Sequence, residues 1–297
     1  MKPTMKTLAV MALCALPAMP VLAQDERGDD NREVVERLMS LLDEAIPDYD
    51  ESLLEVRGGE DWTEAISVPR LVEALNIETL KEDASRAPTG TAVLTNRAAA
   101  LRIDPAAGRV GYVDRTLTPD LRRGSQGLPD GDRAFRIGLR ALSRVGLPSE
   151  EFDRPEILTQ MAAGGSIESR EPEMVDEIFR LVVVDRRIED FRVFGSSAVV
   201  AIAPTGDVQR LRTQWPAFRI SEGDRLQERE TVLRETAETL ADMDVTGDAE
   251  ITAQVGFAPV ADEPGAPYIP IALVAVTHGE TPVLLSAPLV SPGERDD

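Results

Sequence analysis

The sequence predicts an α+β protein in which two related modules each lay a helix across an antiparallel sheet. Three observations lead to this prediction. Residues 181–215 alternate apolar and polar side chains with a period close to two, and Pro204-Thr205-Gly206-Asp207 supplies the chemistry of a tight turn. Residues 99–110 repeat this hairpin pattern with one more residue in the turn. Each hairpin is followed by an amphipathic helix and then by further strands.

Residues 1–23 are typical of a secretory signal peptide. Lys2 and Lys6 precede an apolar run, and Val21-Leu22-Ala23 places small residues where a signal peptidase cleaves. The bulky Leu13 directly before Cys14 disfavours lipid attachment to that cysteine. We therefore expect cleavage after Ala23 and a mature protein that is periplasmic or secreted.

The segment before the first module is expected to be helical. Residues 24–31 are charged and lack apolar periodicity, which predicts a disordered leader. Within residues 32–90, apolar side chains recur at three- and four-residue steps over 32–46 and over 68–83, where Pro69 occupies the first turn. We expect two helices here, each with one face packed on a core.

The two modules are predicted at residues 91–220 and 221–290, and a polar tail at 291–297. Their helices are expected over 132–145, ended by Gly146 and Pro148, and over 228–243. Strands are expected to follow these helices over 179–202, 251–255, 268–277 and 282–289. The shared order of hairpin, helix and strands indicates an internal duplication.

The charge of the chain excludes two classes of partner. With 53 acidic residues against 32 basic ones, the formal net charge is −21. Nucleic acids and anionic membranes are bound through Lys and Arg, so neither is expected as a partner. After the signal peptide, no apolar run reaches the roughly 18–20 residues of a transmembrane helix, so we expect no membrane insertion.

The sequence offers little catalytic chemistry. His278 is the only histidine, and no G-x-S-x-G motif occurs; Gly195-Ser196-Ser197 and Gly165-Ser166 come nearest. The sequence contains neither an H-E-x-x-H motif nor a pair of cysteines, so it gives no indication of a zinc site. An acidic stretch at 168–177 is interpreted as a solvated loop. We therefore expect a protein that is not an enzyme, with a carboxylate-based secreted hydrolase as the alternative.

One run of oxygen-bearing residues has the spacing of a calcium loop. Its first, third, fifth, seventh and ninth positions carry oxygen ligands and its sixth is Gly247; the ligands are Asp242, Asp244, Thr246, Asp248 and Glu250. The twelfth position, where a Glu would complete the shell, is Ala253. We interpret this run as the end of a helix followed by a turn, and we expect no cofactor. The alternative is a calcium site, which would give the protein a structural role in the envelope.

A family resemblance rests on the central hairpin. The run Arg187-Ile188-Glu189-Asp190-Phe191-Arg192-Val193-Phe194-Gly195, with Gly206 and Val208 after it, resembles the strand-hairpin core of PepSY and thermolysin-propeptide (FTP) domains. Asp190 and Arg192 depart from the Gly and Pro that are usual there. The resemblance implies a cystatin-like helix-on-sheet fold in an exported bacterial protein. Domains of this kind act as protease propeptides, inhibitors or sensory modules.

The sequence therefore predicts a non-catalytic module that binds another exported or envelope protein, such as a protease, in trans. The binding residues expected near the hairpin are Phe194, Gly195 and Gly206. In strict strand alternation, Phe194 points away from Phe191 and Val193, towards a solvent-exposed sheet face. The alternative is that the N-terminal helices cover this face and that Phe194 belongs to the core.

Overall fold

A computed structural model describes residues 30–59, 61–81, 90–117, 127–164, 174–221, 225–246, 248–278 and 281–291. The predicted signal peptide, residues 24–29 of the leader and residues 292–297 of the tail lie outside the described residues. Within these ranges, no helix has the length and apolar character needed to cross a membrane.

Four α-helices are present in the described residues: α1 (Asp30–Ala45), α2 (Val68–Ala74), α3 (Gly131–Val145) and α4 (Arg229–Asp242). Three of them match the predicted helices to within two residues at each end. Helix α3 begins at Asp130, whose carboxylate accepts the N–H of Arg133 at 2.7 Å, and ends at Gly146 with a φ of 95°.

The second N-terminal helix is shorter than predicted. A single helix over 68–83 was expected, but α2 ends at Ala74 and Asn76 adopts a left-handed φ of 54°. The N–H of Ile77 then donates to the carbonyl of Val72 at 2.9 Å, which closes the helix end. The apolar periodicity continues beyond this break because Leu80, in a short 3₁₀ turn, is also buried.

Twelve strands are found in the described part of the chain. They are β1 (Ala92–Thr95), β2 (Ala99–Asp104), β3 (Arg109–Asp114), β4 (Glu156–Gly164), β5 (Met174–Ile188), β6 (Phe191–Ile202), β7 (Val208–Gln214), β8 (Arg225–Leu226), β9 (Glu250–Pro259), β10 (Tyr268–His278), β11 (Thr281–Pro288) and β12 (Val290–Ser291). The predicted hairpins and the three strands after α4 are confirmed. Strand β4 was not predicted. The solvated loop predicted at 168–177 is wrong for Asp176 and Glu177, which lie within β5 and pair with β4, and residues 168–173 lie outside the described residues.

Ten strands form one sheet that is dominated by antiparallel pairs, and β6 is its branch point. One edge of β6 pairs with β5 along most of its length. The other edge pairs with β7 through residues 197–202 and, in parallel, with β9 through Arg192 and Val193. Strands β1, β2 and β3 extend the sheet beyond β7, while β10 and β11 extend it beyond β9. The α+β class is therefore confirmed.

A first hydrophobic cluster fills the space between α2, α3 and strands β1 to β7. Helix α3 lies close to the sheet because it presents Gly138 to Val182. A Cβ added to Gly138 would lie 2.8 Å from the Val182 side chain, so only glycine permits this approach. Trp215, the last residue before Pro216, is fully buried in this cluster.

A second hydrophobic cluster lies between α1, α4 and strands β9 to β11. The N-terminal helix α1 packs along α4, nearly two hundred positions later in the chain. Arg229, the first residue of α4, joins the two helices: its Nε lies 2.8 Å from Asp43 Oδ1, and its Nη2 donates to the carbonyls of Asp43 and Ile46 at 2.8 Å. A guanidinium here satisfies the free carbonyls at the end of α1.

Candidate functional site

Phe194 and Gly195 lie in a bulge of β6. In the ladder with β5, Asp185 pairs with Ser197, but the next residue, Arg186, pairs with Val193. Residues 194–196 therefore have no paired residue on β5. Strict alternation is therefore wrong for this segment. The ring of Phe194 is half buried and rests on Gly256 of β9, where an added Cβ would lie 2.8 Å from Phe194 Cε2. Gly195 is exposed with a φ of 76°.

Gly206 lies in the tight turn between β6 and β7, as the sequence predicts. Its N–H donates to the carbonyl of Ala203 at 2.9 Å, and its φ is 90°, a backbone conformation that favours glycine. The turn residues are Ala203 to Gly206, one position earlier than expected, and Pro204 takes the second position that suits its fixed φ. The structure does not bring Gly206 together with Phe194 and Gly195, because they occupy opposite ends of β6.

The calcium-like run spans a helix end and a strand start. Asp242 is the last residue of α4, Asp244 has a φ of 58°, and Glu250 begins β9. The hydroxyl of Thr246 donates to the carboxylate of Asp248, and Gly247 lies outside the described residues. Among the residues described, no three Asp, Glu, His or Cys side chains are grouped to hold a metal ion. Calcium binding stays a prediction.

The candidate residues for hydrolytic chemistry are dispersed. His278 is the last residue of β10 and pairs with Thr281, and its side chain lies outside the described residues. Ser196 is buried in the bulge of β6, and Gly165-Ser166 falls outside the described ranges.

A buried charge network that sequence reasoning missed lies between the two clusters. Arg186 Nε is 2.7 Å from Glu151 Oε2, and both side chains are 4% exposed. Trp215 Nε1 donates to the same oxygen at 3.0 Å, and the N–H of Gly59 donates to Glu151 Oε1 at 2.9 Å. Arg186 also donates to the carbonyl of Pro216 at 2.6 Å. The network is fully hydrogen-bonded, as buried charges require, and its role is structural.

The face of strands β1 to β7 that lies opposite α3, here called the open face, carries the most distinctive surface chemistry. Strand register places five of its residues in one row across adjacent strands: Val93, Arg102, Gly111, Arg212 and Val199. The next row contains Thr95, Ala100, Val113, Arg210 and Ala201. Cationic side chains therefore cover β2, β3 and β7, and aliphatic side chains continue onto β6 and β5.

Three open-face arginines are exposed and unpaired. In the described part of the chain, Arg102, Arg109 and Arg212 form neither a hydrogen bond nor an ion pair. Arg210 differs, since its Nη2 donates to Gln160 Oε1 at 3.0 Å. At the end near the Pro204 turn, this face is covered by a small cluster of Phe179, Ala201, Ala203 and Leu117. The exposed part is therefore the region around Arg102, Arg109 and Arg212.

One carboxylate of the open face is electrostatically perturbed. Burial raises the pKa of Asp185, and the Arg192 guanidinium that pairs with it opposes this shift. Arg192 is thus engaged, unlike Arg102, Arg109 and Arg212. Two depressions of about 450 and 480 Å³ lie elsewhere, between α1 and α4 and beside the end of α3. Neither is lined by an arginine of the open face.

Comparison of the chain with protein-family models, with curated proteins and with solved structures finds no match. The PepSY/FTP resemblance therefore rests on the sequence pattern of the central hairpin alone.

Proposed function

We propose that this chain is an exported, non-catalytic binding protein of the PepSY/FTP type, which binds another exported or envelope protein in trans. In this proposal the first cluster with α3 and the second cluster with α4 are two related helix-on-sheet modules. The partner of such a module would be a protease or another envelope protein, and binding would modulate it without any reaction at this chain.

The observation that carries this proposal is the open face. Helices cover the opposite side of the same strands, whereas Val93 on this side is 65% exposed and three arginines have no partner in the described residues. Arg is among the residue types that are enriched at protein interfaces and at their hot spots. The open face is therefore the surface on which we place the partner.

Site-specific photo-cross-linking tests this placement in cells that produce the protein. A photoreactive amino acid replaces Val93 on the open face or, as a matched control, Phe135 on the outer side of α3, which is 37% exposed. The proposal expects a discrete protein adduct from position 93 and none from position 135. Adducts of equal yield from both positions, or none from position 93, would contradict it.

Export is tested separately. The proposal expects the mature protein to be recovered from the periplasm or the medium with Gln24 as its first residue, measured by intact mass. A mature chain that retains Cys14 with a diacylglycerol group would contradict cleavage after Ala23.

A further inference from the structure

The central part of the open face has the layout of an anion site. Arg102, Gly111 and Arg212, here called the arginine row, are directly paired across three adjacent strands. With about 4.8 Å between neighbouring strands, the two arginine Cα atoms are about 10 Å apart. A Cβ added to Gly111 would meet no atom within 4 Å, so the space above it is open. Arg102 and Arg212 thus lie on either side of Gly111, whose backbone is open to a ligand.

The guanidiniums of the arginine row are available to a ligand. Neither one has a hydrogen-bond or ion-pair partner in the described residues, and Arg109 on the neighbouring row has none either. The nearest acid on the same face is Asp104, opposite Arg109, and it accepts a hydrogen bond from the Thr91 hydroxyl at 3.3 Å. A planar guanidinium with free donors binds a carboxylate through two parallel hydrogen bonds.

The surroundings favour a peptide over a lipid. The net charge of −21 opposes approach to an anionic membrane, whereas a short acidic segment needs only local complementarity. The row lies on a flat sheet surface, while small amphiphiles are held in concave pockets. An extended chain advances about 3.3 Å per residue and turns successive side chains to opposite sides, so carboxylates two residues apart lie on one side about 6.6 Å from each other. The long side chains of Arg102 and Arg212, whose Cα atoms are about 10 Å apart, can converge on that spacing.

We infer that the arginine row binds an extended acidic segment of the partner protein, whose carboxylates engage Arg102 and Arg212 on either side of Gly111. Apolar residues of that segment lie on Val113 and Val199, which adjoin the row on the same face. This inference rests on the proposed function and names the chemistry of the partner at that site.

A defined peptide tests the inference with the mature chain. The probe is a fluorescein-labelled peptide Val-Thr-Glu-Thr-Glu-Thr-Val, in which both Glu and both Val side chains share one side of the extended chain, and its matched control carries Gln in place of Glu. Fluorescence anisotropy at low ionic strength should show that the Glu peptide binds about tenfold more tightly than the Gln peptide. Added salt should weaken this binding. Equal affinity for both peptides, or no binding of the Glu peptide, overturns the inference.

Paired variants separate the arginine row from general charge. Arg102→Gln with Arg212→Gln should weaken binding of the Glu peptide by about tenfold. Arg136→Gln with Arg140→Gln removes the same charge from the exposed side of α3 and should change binding less than about twofold. Equal losses in the two pairs would show that net charge alone drives binding, and the inference would fail.

Two further measurements identify other outcomes. Cosedimentation with phosphatidylglycerol vesicles that depends on Arg102 and Arg212, without peptide binding, would replace the peptide by a lipid and overturn the inference. A cross-linked partner at position 93 whose yield is unchanged in the Arg102→Gln, Arg212→Gln variant overturns the inference but leaves the proposed function standing. Peptide binding that depends on both arginines, without any adduct at position 93, contradicts the proposed function only.

Discussion

Both halves of the branched sheet carry helices on one side, and the residues on their other sides differ. Helices cover the inner side of β1 to β7 and of β9 to β11. On the outer side, the first half presents Arg102, Arg109 and Arg212 beside valines. The second half presents mostly neutral side chains, namely Thr252, Gln254, Leu273, Ala275, Leu284 and Ser286. One outer side therefore carries exposed arginines, and the other is mostly neutral.

The helical layers differ as well. The long helix α3 and the short helix α2 cover the first half, and α3 approaches the sheet through Gly138, whereas α1 and α4 cover the second half together. The first half therefore depends on local close packing. The second half depends on a helix from the N-terminal end of the described chain, held by Arg229.

The largest effect that we predict concerns the buried network of Glu151 and Arg186, here called the joint, which lies between the two halves. Val184 belongs to the first cluster and Ile188 to the second, and Arg186 lies between them on the same strand face. Glu151→Gln leaves the guanidinium of Arg186 buried without its counter-charge, which should cost about 3–5 kcal/mol of unfolding free energy. Urea denaturation monitored by tryptophan fluorescence measures this loss.

The exposed neighbour provides the control. Glu150→Gln removes an equal charge one position away and should change stability by less than about 0.5 kcal/mol. If the Glu151 variant instead unfolds in two steps, each half is stable by itself and the intact joint couples their unfolding. Similar small losses in both variants would contradict the structural role of the network.

The sequence was sufficient for features that depend on nearby residues. Helix α3 follows from its apolar face and from Gly146, and the β6–β7 hairpin follows from alternation and from Gly206. The bulge at residues 194–196 was missed because it lies next to the parallel pairing of β6 with β9, a contact between residues some sixty positions apart that local alternation does not encode. Likewise, Asn76 ends α2 in the middle of an unbroken apolar pattern.

The candidate site could not be read from the sequence because strand register creates it. Arg102 and Arg212 are more than a hundred positions apart in the sequence. Considered by itself, each one indicates only a solvent-exposed charge on a strand. They become neighbours of Gly111 only when β3 pairs with both β2 and β7. The signal that was available is Gly111 in a strand pattern, which often marks a close approach of another group.

The second prediction concerns the contact of the halves at the bulge. Phe194→Ala removes a half-buried ring from Gly256, so the loss should be about 2 kcal/mol, below that of a fully buried ring. Thermal and urea unfolding measure it. A loss of unfolding free energy below about 0.5 kcal/mol would indicate that Phe194 is exposed, as strict alternation predicts.

A smaller effect is expected at the tight turn of the first half. Gly206→Val places a β-branched side chain at a φ of 90°, with Arg133 Nη2 3.1 Å from the new Cβ. The cost should be about 1–2 kcal/mol in the urea midpoint, because a β-branched residue resists a positive φ. Thr205→Ala, in the same turn but exposed, should have little effect. Equal changes in the two variants would show that the turn does not require glycine.

The smallest effect is predicted at the arginine row, and it decides whether the outer faces differ in function or only in composition. Arg102→Gln with Arg212→Gln removes two exposed side chains that have no partner in the described residues, so unfolding free energy should change by less than about 0.5 kcal/mol. Thr252→Ala, on the outer face of the second half, should change the unfolding free energy equally little. Because both faces are open to solvent, stability cannot explain why one of them retains unpaired guanidiniums within a chain of net charge −21. A loss above about 2 kcal/mol in the arginine variant alone would mean that the row supports the fold, and its assignment to a partner would then fail.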